Sequence, residues 1–215
     1  MNNPVVLVIG AGPGVSGSVA RRFAGEGYDV GLLGIDQEVL RDLADQLAVT
    51  VEYRVADLSA VDAATTAIRE LGEKLGRIDV LHFNPSAFRE KDPLSLSVPE
   101  LLQDVALGVG ALLTAVQAAR PHMTSGGRVT VTGSMAADKP WNRAASLGVQ
   151  KAGVRNLVRS LDTTLEPDGI RAVSVTVRGT LTSEGAFTPD RVAEAIWDAA
   201  HQDESSWASE VPYDG

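Results

Sequence analysis

The sequence predicts an α/β fold, with a single doubly wound parallel sheet and helices on both of its faces. Short apolar runs rich in Val, Ile and Leu alternate with longer segments of helical period along the chain. The first apolar run leads through a glycine-rich turn directly into a helical segment. No internal repeat, low-complexity tract or linker interrupts this alternation, and a chain of 215 residues can bury one good core. We therefore predict one domain of this class over residues 1–215.

The strands are predicted from six short apolar runs that are bounded by glycine or polar residues. Apolar runs of this kind are typical of strands that are buried on both faces, as in a parallel sheet. In chain order they are VVLVIG (Val5–Gly10), YDVGLLG (Tyr28–Gly34), VTVEYRVAD (Val49–Asp57), IDVLHFN (Ile78–Asn84), GRVTVTG (Gly127–Gly133) and IRAVSVTV (Ile170–Val177). A short last strand is predicted within SSWASEV, residues 205–211.

The segments between the strands have the length and period of helices. They span Val15–Glu26, Gln37–Leu47, Val61–Leu75, Pro99–Met123, Ala144–Leu165 and Pro189–His201. Asp36 stands directly before the second helix, where its side chain can cap the helix N-terminus. Right-handed crossovers place the helices on both faces of the sheet. The irregular segment NPSAFREKDPLSLSVP follows the fourth strand, so we expect it to border a ligand crevice at the carboxyl edge of the sheet.

Composition and charge argue against several classes of function. The chain has 19 basic and 28 acidic residues, a net charge of -9, and the basic residues are scattered, so no nucleic-acid partner is expected. It has no cysteine, and His82, His122 and His201 form no spaced pair, so no metal site is expected. The first apolar run is too short to span a membrane and has no basic segment ahead of it. No membrane partner is expected, and the cytoplasm is the expected location.

The strongest local motif is the glycine-rich turn in VVLVIGAGPGVSGSVARRF. Glycines let the backbone approach a pyrophosphate, and the helix N-terminus offers free N–H groups to it, so the motif predicts dinucleotide binding. The alternative is a tight turn whose glycines serve packing alone. Two registers fit the turn. One is Gly-x-Gly-x-x-Gly at Gly12, Gly14 and Gly17; the other is Gly-x-x-x-Gly-x-Gly from Gly10, with Ser16 in the place of the third glycine.

In the second register the chain resembles the short-chain dehydrogenase/reductase family, and further matches follow in order along nearly its whole length. Asp57, after the third strand, resembles the family's acid that contacts the adenine ring. Asn84 matches the family's Asn-Asn-Ala-Gly segment, from which Pro85 and Ser86 depart. Gly179 is retained in VRGTL, where the family has a Pro-Gly turn. The resemblance implies a Rossmann-type fold that binds NAD or NADP.

The resemblance also implies a catalytic tetrad of asparagine, serine, tyrosine and lysine, of which this chain retains two members. Ser134 and Lys151 are the predicted catalytic residues, and Lys151 is implied to bind the nicotinamide ribose as well. Leu147 stands where the family has its tyrosine, and leucine cannot donate, accept or ionise. The fourth helix has no asparagine, although the family's residue would fall near positions 106 to 108. Tyr213 and His122 stay open as substitute proton donors.

The positions that distinguish NAD from NADP carry neither determinant. Gly34 stands at the position of the acid that accepts the ribose hydroxyls of NAD, and Ile35 at that of the arginine that meets the phosphate of NADP. Pro13 occupies another position where NADP-binding relatives often carry a basic residue, so we favour NAD. The predicted cofactor-binding residues are Gly10, Gly12, Gly14, Val15, Ser16, Asp36, Asp57, Leu58, Asn84, Lys151 and Gly179.

Three functions are compatible with the sequence. The first is an atypical NAD(P)-dependent oxidoreductase that acts on a small carbonyl or alcohol, with a proton from water, Lys151 or the substrate itself. The second is a non-redox enzyme that uses Ser134 and Lys151 for a dehydration, isomerisation or cyclisation. The third is a noncatalytic nucleotide-binding partner subunit. Small residues in the fourth and fifth helices allow close helix contact, and analogy with the family predicts a homodimer or homotetramer.

Overall fold

The structure, a computed structural model, describes residues 3–215. Met1 and Asn2, which belong to the segment ahead of the first apolar run, lie outside the described residues. The strands are β1 (Val5–Ile9), β2 (Asp29–Gly34), β3 (Val51–Val55), β4 (Ile78–Phe83), β5 (Met123–Ser134), β6 (Arg171–Val177) and β7 (Glu210–Tyr213). The α-helices are α1 (Val15–Gly25), α2 (Gln37–Ala44), α3 (Val61–Leu75), α4 (Val98–Val105), α5 (Ala111–Ala119), α6 (Ala145–Leu165) and α7 (Pro189–Ala200).

All these strands belong to one sheet in the order β3-β2-β1-β4-β5-β6-β7, and every neighbouring pair is parallel. One core layer lies beneath α3, α5 and α6 and includes Leu71, Leu112 and Val158. The other lies beneath α1 and α7 and includes Val19 and Ile196. The predicted fold class, a doubly wound parallel sheet with helices on both faces, is confirmed. The strand order reverses between β1 and β4, which is where such folds place their ligands.

The last strand lies further along the chain than the sequence predicts. SSWASEV was the expected segment, but β7 begins only at Glu210. The carboxylate of Asp203 accepts hydrogen bonds from the backbone N–H and the hydroxyl of Ser205, at 2.8 and 2.7 Å, and closes a 3₁₀ turn there. β7 pairs with β6 from Glu210, opposite Ser174, and Glu210 Oε1 also accepts a hydrogen bond from Thr176 Oγ1 at 2.8 Å. Ser205 and Ser206, which were predicted in the strand, therefore lie in the 3₁₀ turn instead.

The helix predicted over Pro99–Met123 is interrupted in its middle. A capping box of Ser97 and Glu100 starts α4, and a π-helical turn over Ala106–Gly110 separates α4 from α5. By length and composition the segment Val98–His122 could cross a membrane, with a mean hydropathy of 1.5 in its most apolar window. In the fold, α5 packs against α3 and contributes to the core beneath both helices. This packing accounts for the apolar character of α5.

Candidate active site

A cleft of about 370 Å³ opens at the carboxyl ends of β1, β4, β5 and β6, where the strand order reverses. The residues that line it are Gly14, Val15, Asn84, Ser86, Phe88, Thr132, Gly133, Ser134, Leu147, Lys151, Val177, Gly179 and Leu181. Those among them that the sequence predicts as site residues are Gly14, Val15, Asn84, Ser134, Lys151 and Gly179. The fold therefore brings together residues that are far apart in the chain, at the place where a doubly wound sheet binds its ligand.

The glycine-rich turn combines features of both predicted registers. Gly10 follows β1 with a φ of +77°, a left-handed conformation that side chains rarely allow. Gly17 is also required, because a Cβ there would lie 2.5 Å from the carbonyl oxygen of Gly12. Ser16 is buried beside it, and its hydroxyl donates to that same carbonyl at 3.4 Å. The turn therefore starts at Gly10 and closes with the packing of Gly17 against Gly12.

The turn leaves open space in front of the N-terminus of α1. Gly14 is the N-cap residue, and it provides no side-chain cap for the helix. A Cβ at Gly12 or Gly14 would meet no atom of the described chain within 4 Å. The first backbone N–H groups of α1 are thus free to bind an anion, and the helix dipole favours negative charge at this end. The arrangement fits the pyrophosphate of a dinucleotide.

Ser134 and Lys151 face the same cleft, one from the sheet and the other from α6. Ser134, the last residue of β5, accepts a hydrogen bond at Oγ from the backbone N–H of Ala136 at 3.2 Å. Its own hydroxyl proton is therefore available to a ligand. Lys151 donates from Nζ to the backbone carbonyl of Thr132 at 2.8 Å. Leu147, one turn before Lys151 on α6, adds an apolar surface to the cleft.

Burial changes the acid–base behaviour of Lys151. The residue is 6% exposed, and within residues 3–215 no carboxylate lies within salt-bridge distance of its Nζ. Burial disfavours the charged ammonium and lowers the pKa of Lys151 to about 8. A larger share of this amine is therefore neutral at physiological pH than is the case for an exposed lysine.

His82 is fully buried in β4, close to Lys151. Its Nδ1 lies 3.0 Å from Thr130 Oγ1, and its Nε2 lies 3.4 Å from Thr132 Oγ1. Burial, and secondarily the positive charge of Lys151, lower the pKa of His82 to about 3. His82 is therefore neutral at pH 7 and is a hydrogen-bonded core residue. Within residues 3–215, no three His, Asp or Glu side chains are grouped so that they could hold a metal ion.

Gln150 supports the loop at the rim of the cleft, and no sequence motif reveals it. Its buried side chain accepts a hydrogen bond from the backbone N–H of Ala87 at 2.8 Å and donates to the carbonyls of Ala87 and Ser146, at 3.1 and 3.2 Å. It also fills the space beside Gly108 in the π-helical turn, where a Cβ would lie 2.8 Å from Gln150 Cδ. We call these contacts the Gln150 clamp. The one sequence signal for it is a long polar residue in a helix of small residues, directly before Lys151.

The loop between β4 and α4 forms one rim of the cleft and is fixed to the fold by an ion pair. Arg89 binds the carboxylate of Asp104 through two N–H groups, at 3.0 and 2.9 Å, and Asp104 is 2% exposed. Phe88 stacks on Trp141 with ring centroids 6.3 Å apart. Phe88 itself is 65% exposed, so the cleft is open to solvent on this side.

The residues predicted for the adenosine half of the cofactor lie outside the cleft. Asp57 accepts hydrogen bonds from the hydroxyl and the backbone N–H of Ser59, at 2.7 and 2.8 Å, and these bonds lower the pKa of Asp57. The side chain of Leu58 packs in the core. Asp36 caps α2 by accepting hydrogen bonds from two of its backbone N–H groups, at 2.9 and 3.2 Å.

Asp36→Ala is expected to lower the free energy of unfolding by about 1 kcal/mol, because it removes the cap of α2. Asp36→Ser is the matched control, since serine restores the cap without the carboxylate. Asp36→Ser should keep the stability close to that of the unsubstituted protein and leave the Kd for NADH unchanged. Denaturant unfolding and a fluorescence titration with NADH measure the two effects. A Kd that rises in both variants would show that Asp36 also holds the ribose.

Neither of the two substitute proton donors lies in the cleft. Tyr213, in β7, donates from its hydroxyl to the carbonyl of Ala186 at 2.5 Å, and its ring packs edge-on against Phe187. His122 immediately precedes β5, at the amino edge of the sheet, and packs against Gly72 of α3. The cleft lies at the opposite, carboxyl edge. A proton for a ligand in the cleft must therefore come from a different group.

The chain is similar to known proteins of one family. The short chain dehydrogenase family matches residues 4–190. Meso-2,3-butanediol dehydrogenase of Serratia marcescens is 31% identical over 180 residues, which cover 81% of this chain and 70% of that protein. A short chain dehydrogenase from Mycobacterium smegmatis has a TM-score of 0.88 at 26% identity, covering 100% of this chain and 92% of the other. One from Burkholderia cenocepacia in complex with NADP has a TM-score of 0.88 at 24% identity, covering 99% and 96%.

The family match extends from β1 into the start of α7 and includes both Ser134 and Lys151. The family is one of oxidoreductases that bind NAD or NADP, and its members similar to this chain include two butanediol dehydrogenases. The prediction of an oxidoreductase is thus confirmed at the level of the family. Because the match covers well over half of the residues, the chain belongs to the short-chain dehydrogenase family.

Proposed function

We propose that the protein is an atypical NAD(P)-dependent oxidoreductase that acts on a small carbonyl or alcohol. One observation carries this proposal: Ser134, Lys151 and the anion-binding turn at Gly14 line the same cleft, at the switch point of the sheet. Two similar proteins are butanediol dehydrogenases by name. Their names, together with a cleft of about 370 Å³, support a small alcohol or its carbonyl as the substrate class.

The catalytic tetrad is incomplete in this proposal. Leu147 lines the cleft at the position where the family resemblance expects tyrosine. The π-helical turn holds Ala106, Leu107 and Gly108 where the resemblance expects asparagine. None of these side chains can move a proton. A positioned general acid contributes about 10²–10⁴-fold to a rate, so we expect slow turnover of simple ketones and faster turnover of activated carbonyls.

The remaining residues of the cleft have separate roles in the proposed reaction. The N–H groups of α1 behind Gly14 would hold the pyrophosphate, and the nicotinamide supplies or accepts the hydride when the cofactor is bound. Ser134 Oγ donates a hydrogen bond to the substrate oxygen and orients the substrate. Lys151 stabilises negative charge that develops on that oxygen, and water enters through the open rim to supply the proton.

We favour NAD as the cofactor. A Cβ at Gly34 would lie 2.9 Å from the carbonyl of Ala11, so the position of the NAD-type acid has no room for a side chain. Ile35 follows and is 76% exposed, so an apolar side chain stands where the arginine of an NADP site would be. The extra phosphate of NADP therefore finds no positive charge at this position, and NAD does not need one.

NADH is expected to bind more tightly than NADPH, and Lys151→Met should weaken NADH binding about tenfold, which equals about 1.4 kcal/mol. The physical reason is the loss of a charged donor that faces the cofactor cleft. Lys139→Met, at an exposed lysine, is the matched control and should leave the Kd unchanged. Isothermal titration calorimetry measures both. The absence of binding at about millimolar cofactor would contradict the redox function.

We also propose that the protein assembles as a homodimer or homotetramer through α4 and α6. The apolar side chains of Val98, Leu102 and Val149 on these helices are 68%, 61% and 49% exposed. Val98 and Val149 line a shallow apolar groove together with Trp141. Grouped exposed apolar residues are typical of protein interfaces. Light scattering that detects only a monomer would contradict this assembly.

A further inference from the structure

Lys151 differs from the other three lysines of the chain. Lys74 and Lys139 are exposed, and Lys91 is half-buried. Lys151 is 6% exposed, yet it lines a cleft that small molecules can enter. Its Nζ makes one hydrogen bond within the described residues, to the carbonyl of Thr132. The remaining hydrogen-bonding capacity of the amine is therefore available to a ligand.

The cleft residues around Lys151 that the structure describes include no carboxylate. Within residues 3–215 no carboxylate lies within salt-bridge distance, and Leu147 gives an apolar surface to the cleft one turn earlier on α6. His82, the titratable side chain that approaches Lys151 from β4, is neutral at physiological pH. An unpaired ammonium is unfavourable in a buried place, so burial raises the neutral share of the Lys151 amine above that of an exposed lysine. Neutral lysines in desolvated sites are nucleophiles toward carbonyl groups.

We propose that Lys151 Nζ captures small aldehydes and unhindered ketones in this cleft as Schiff bases, an activity that goes beyond hydride transfer and needs no nicotinamide cofactor. The Nζ lone pair forms a bond to the carbonyl carbon, and one proton passes from nitrogen to oxygen to give a carbinolamine. Loss of the hydroxyl with the second nitrogen proton releases water and leaves a C=N bond. Addition of water reverses the sequence, so no oxidant or reductant is consumed.

The cleft supplies the other groups that this step requires. Ser134 Oγ accepts a hydrogen bond from the N–H of Ala136, so its own hydroxyl is free to donate a hydrogen bond to the carbonyl oxygen while the nitrogen proton passes to that oxygen. Leu147, Val177 and Leu181 line the cleft with apolar groups that suit the carbon chain of the ligand. The ligand class is therefore a small uncharged carbonyl compound.

Reductive trapping of the imine tests this proposal on the full chain. The protein is mixed at neutral pH with butanal and sodium cyanoborohydride, which adds hydride to the C=N carbon, and the butylated lysines are quantified by mass spectrometry. Lys74 and Lys139 are internal references in the same sample. We expect Lys151 to be labelled about tenfold faster than either, because more of its amine is neutral. Its rate should level off as butanal rises, since the aldehyde first occupies the cleft, whereas the reference rates should stay proportional to butanal.

Two outcomes would overturn the proposal: labelling of Lys151 that is no faster than that of Lys74 and Lys139, or a Lys151 rate that stays proportional to butanal. Lys151→Arg keeps the cation but cannot form the imine, so the labelling that levels off with rising butanal should disappear from this variant. Lys74→Arg should retain that labelling. The labelling rates of Lys151, Lys74 and Lys139 are compared in the unsubstituted protein, so the test does not depend on whether a variant folds. Because the sample contains no nicotinamide, failure here is distinguishable from failure to bind NADH.

Discussion

Leu147→Tyr is expected to raise the NADH-dependent reduction of small aldehydes by about 10²–10³-fold, or roughly 3–4 kcal/mol of the barrier. Leu147 lines the cleft together with Ser134 and Lys151, so a phenol at this position would enter the space where the substrate oxygen binds. The side chain of Lys151 follows one turn later on α6, and its ammonium would lower the pKa of the introduced phenol. The substitution therefore supplies the general acid that Leu147 cannot provide.

Leu147→Phe is the matched control, because it adds the same ring without the hydroxyl. Initial rates of NADH oxidation with a panel of aldehydes separate the two variants, and the Kd for NADH should be similar in both. Equal rates for Leu147→Tyr and Leu147→Phe would mean that Ser134 and Lys151 do not hold a substrate in the geometry that acid catalysis needs. In the double variant Leu147→Tyr with Lys151→Met, the gain should fall, because the phenol loses the nearby cation.

The fold could be predicted because its determinants are local in the sequence. Continuous apolar runs mark strands that are buried on both faces, and α3 was predicted with both of its ends at Val61 and Leu75. The place of the cleft was also predictable, since residues that follow parallel strands meet at one edge of the sheet. Asn84 after β4 and Ser134 at the end of β5 therefore meet in the same cleft.

The features that the sequence could not predict depend on contacts between distant segments. The residues of the π-helical turn, Ala106–Gly110, have the composition of an ordinary helix. In the sequence, Gln150 looks like any polar residue of a helix. Only the fold brings the backbone of Ala87 to its side-chain amide. Tyr213 lies in a strand that begins at Glu210, a polar residue outside any apolar pattern. Periodicity carries no information about such contacts.

The Gln150 clamp gives the second large effect that we expect. Glycine to alanine within a helix usually stabilises a protein by up to about 1 kcal/mol. Gly108→Ala should instead lower the free energy of unfolding by about 2 kcal/mol, because the new Cβ would lie 2.8 Å from both Cγ and Cδ of Gln150 and would displace its amide from Ala87. Gln150→Ala should cost about 3 kcal/mol, because it leaves the N–H and the carbonyl of Ala87 without these partners.

The double variant Gly108→Ala with Gln150→Ala decides whether the two effects have one cause. If the cost of Gly108→Ala arises from displacing the amide, that cost disappears once the amide is gone, and the double variant should be no less stable than Gln150→Ala alone. Chemical denaturation of the four proteins measures the coupling, which we expect to reach about 2 kcal/mol. Additive losses would mean that Gly108 is needed for the π-helical turn itself. Coupling would mean instead that glycine is kept at this position to admit the side chain that holds the β4 loop at the rim of the cleft.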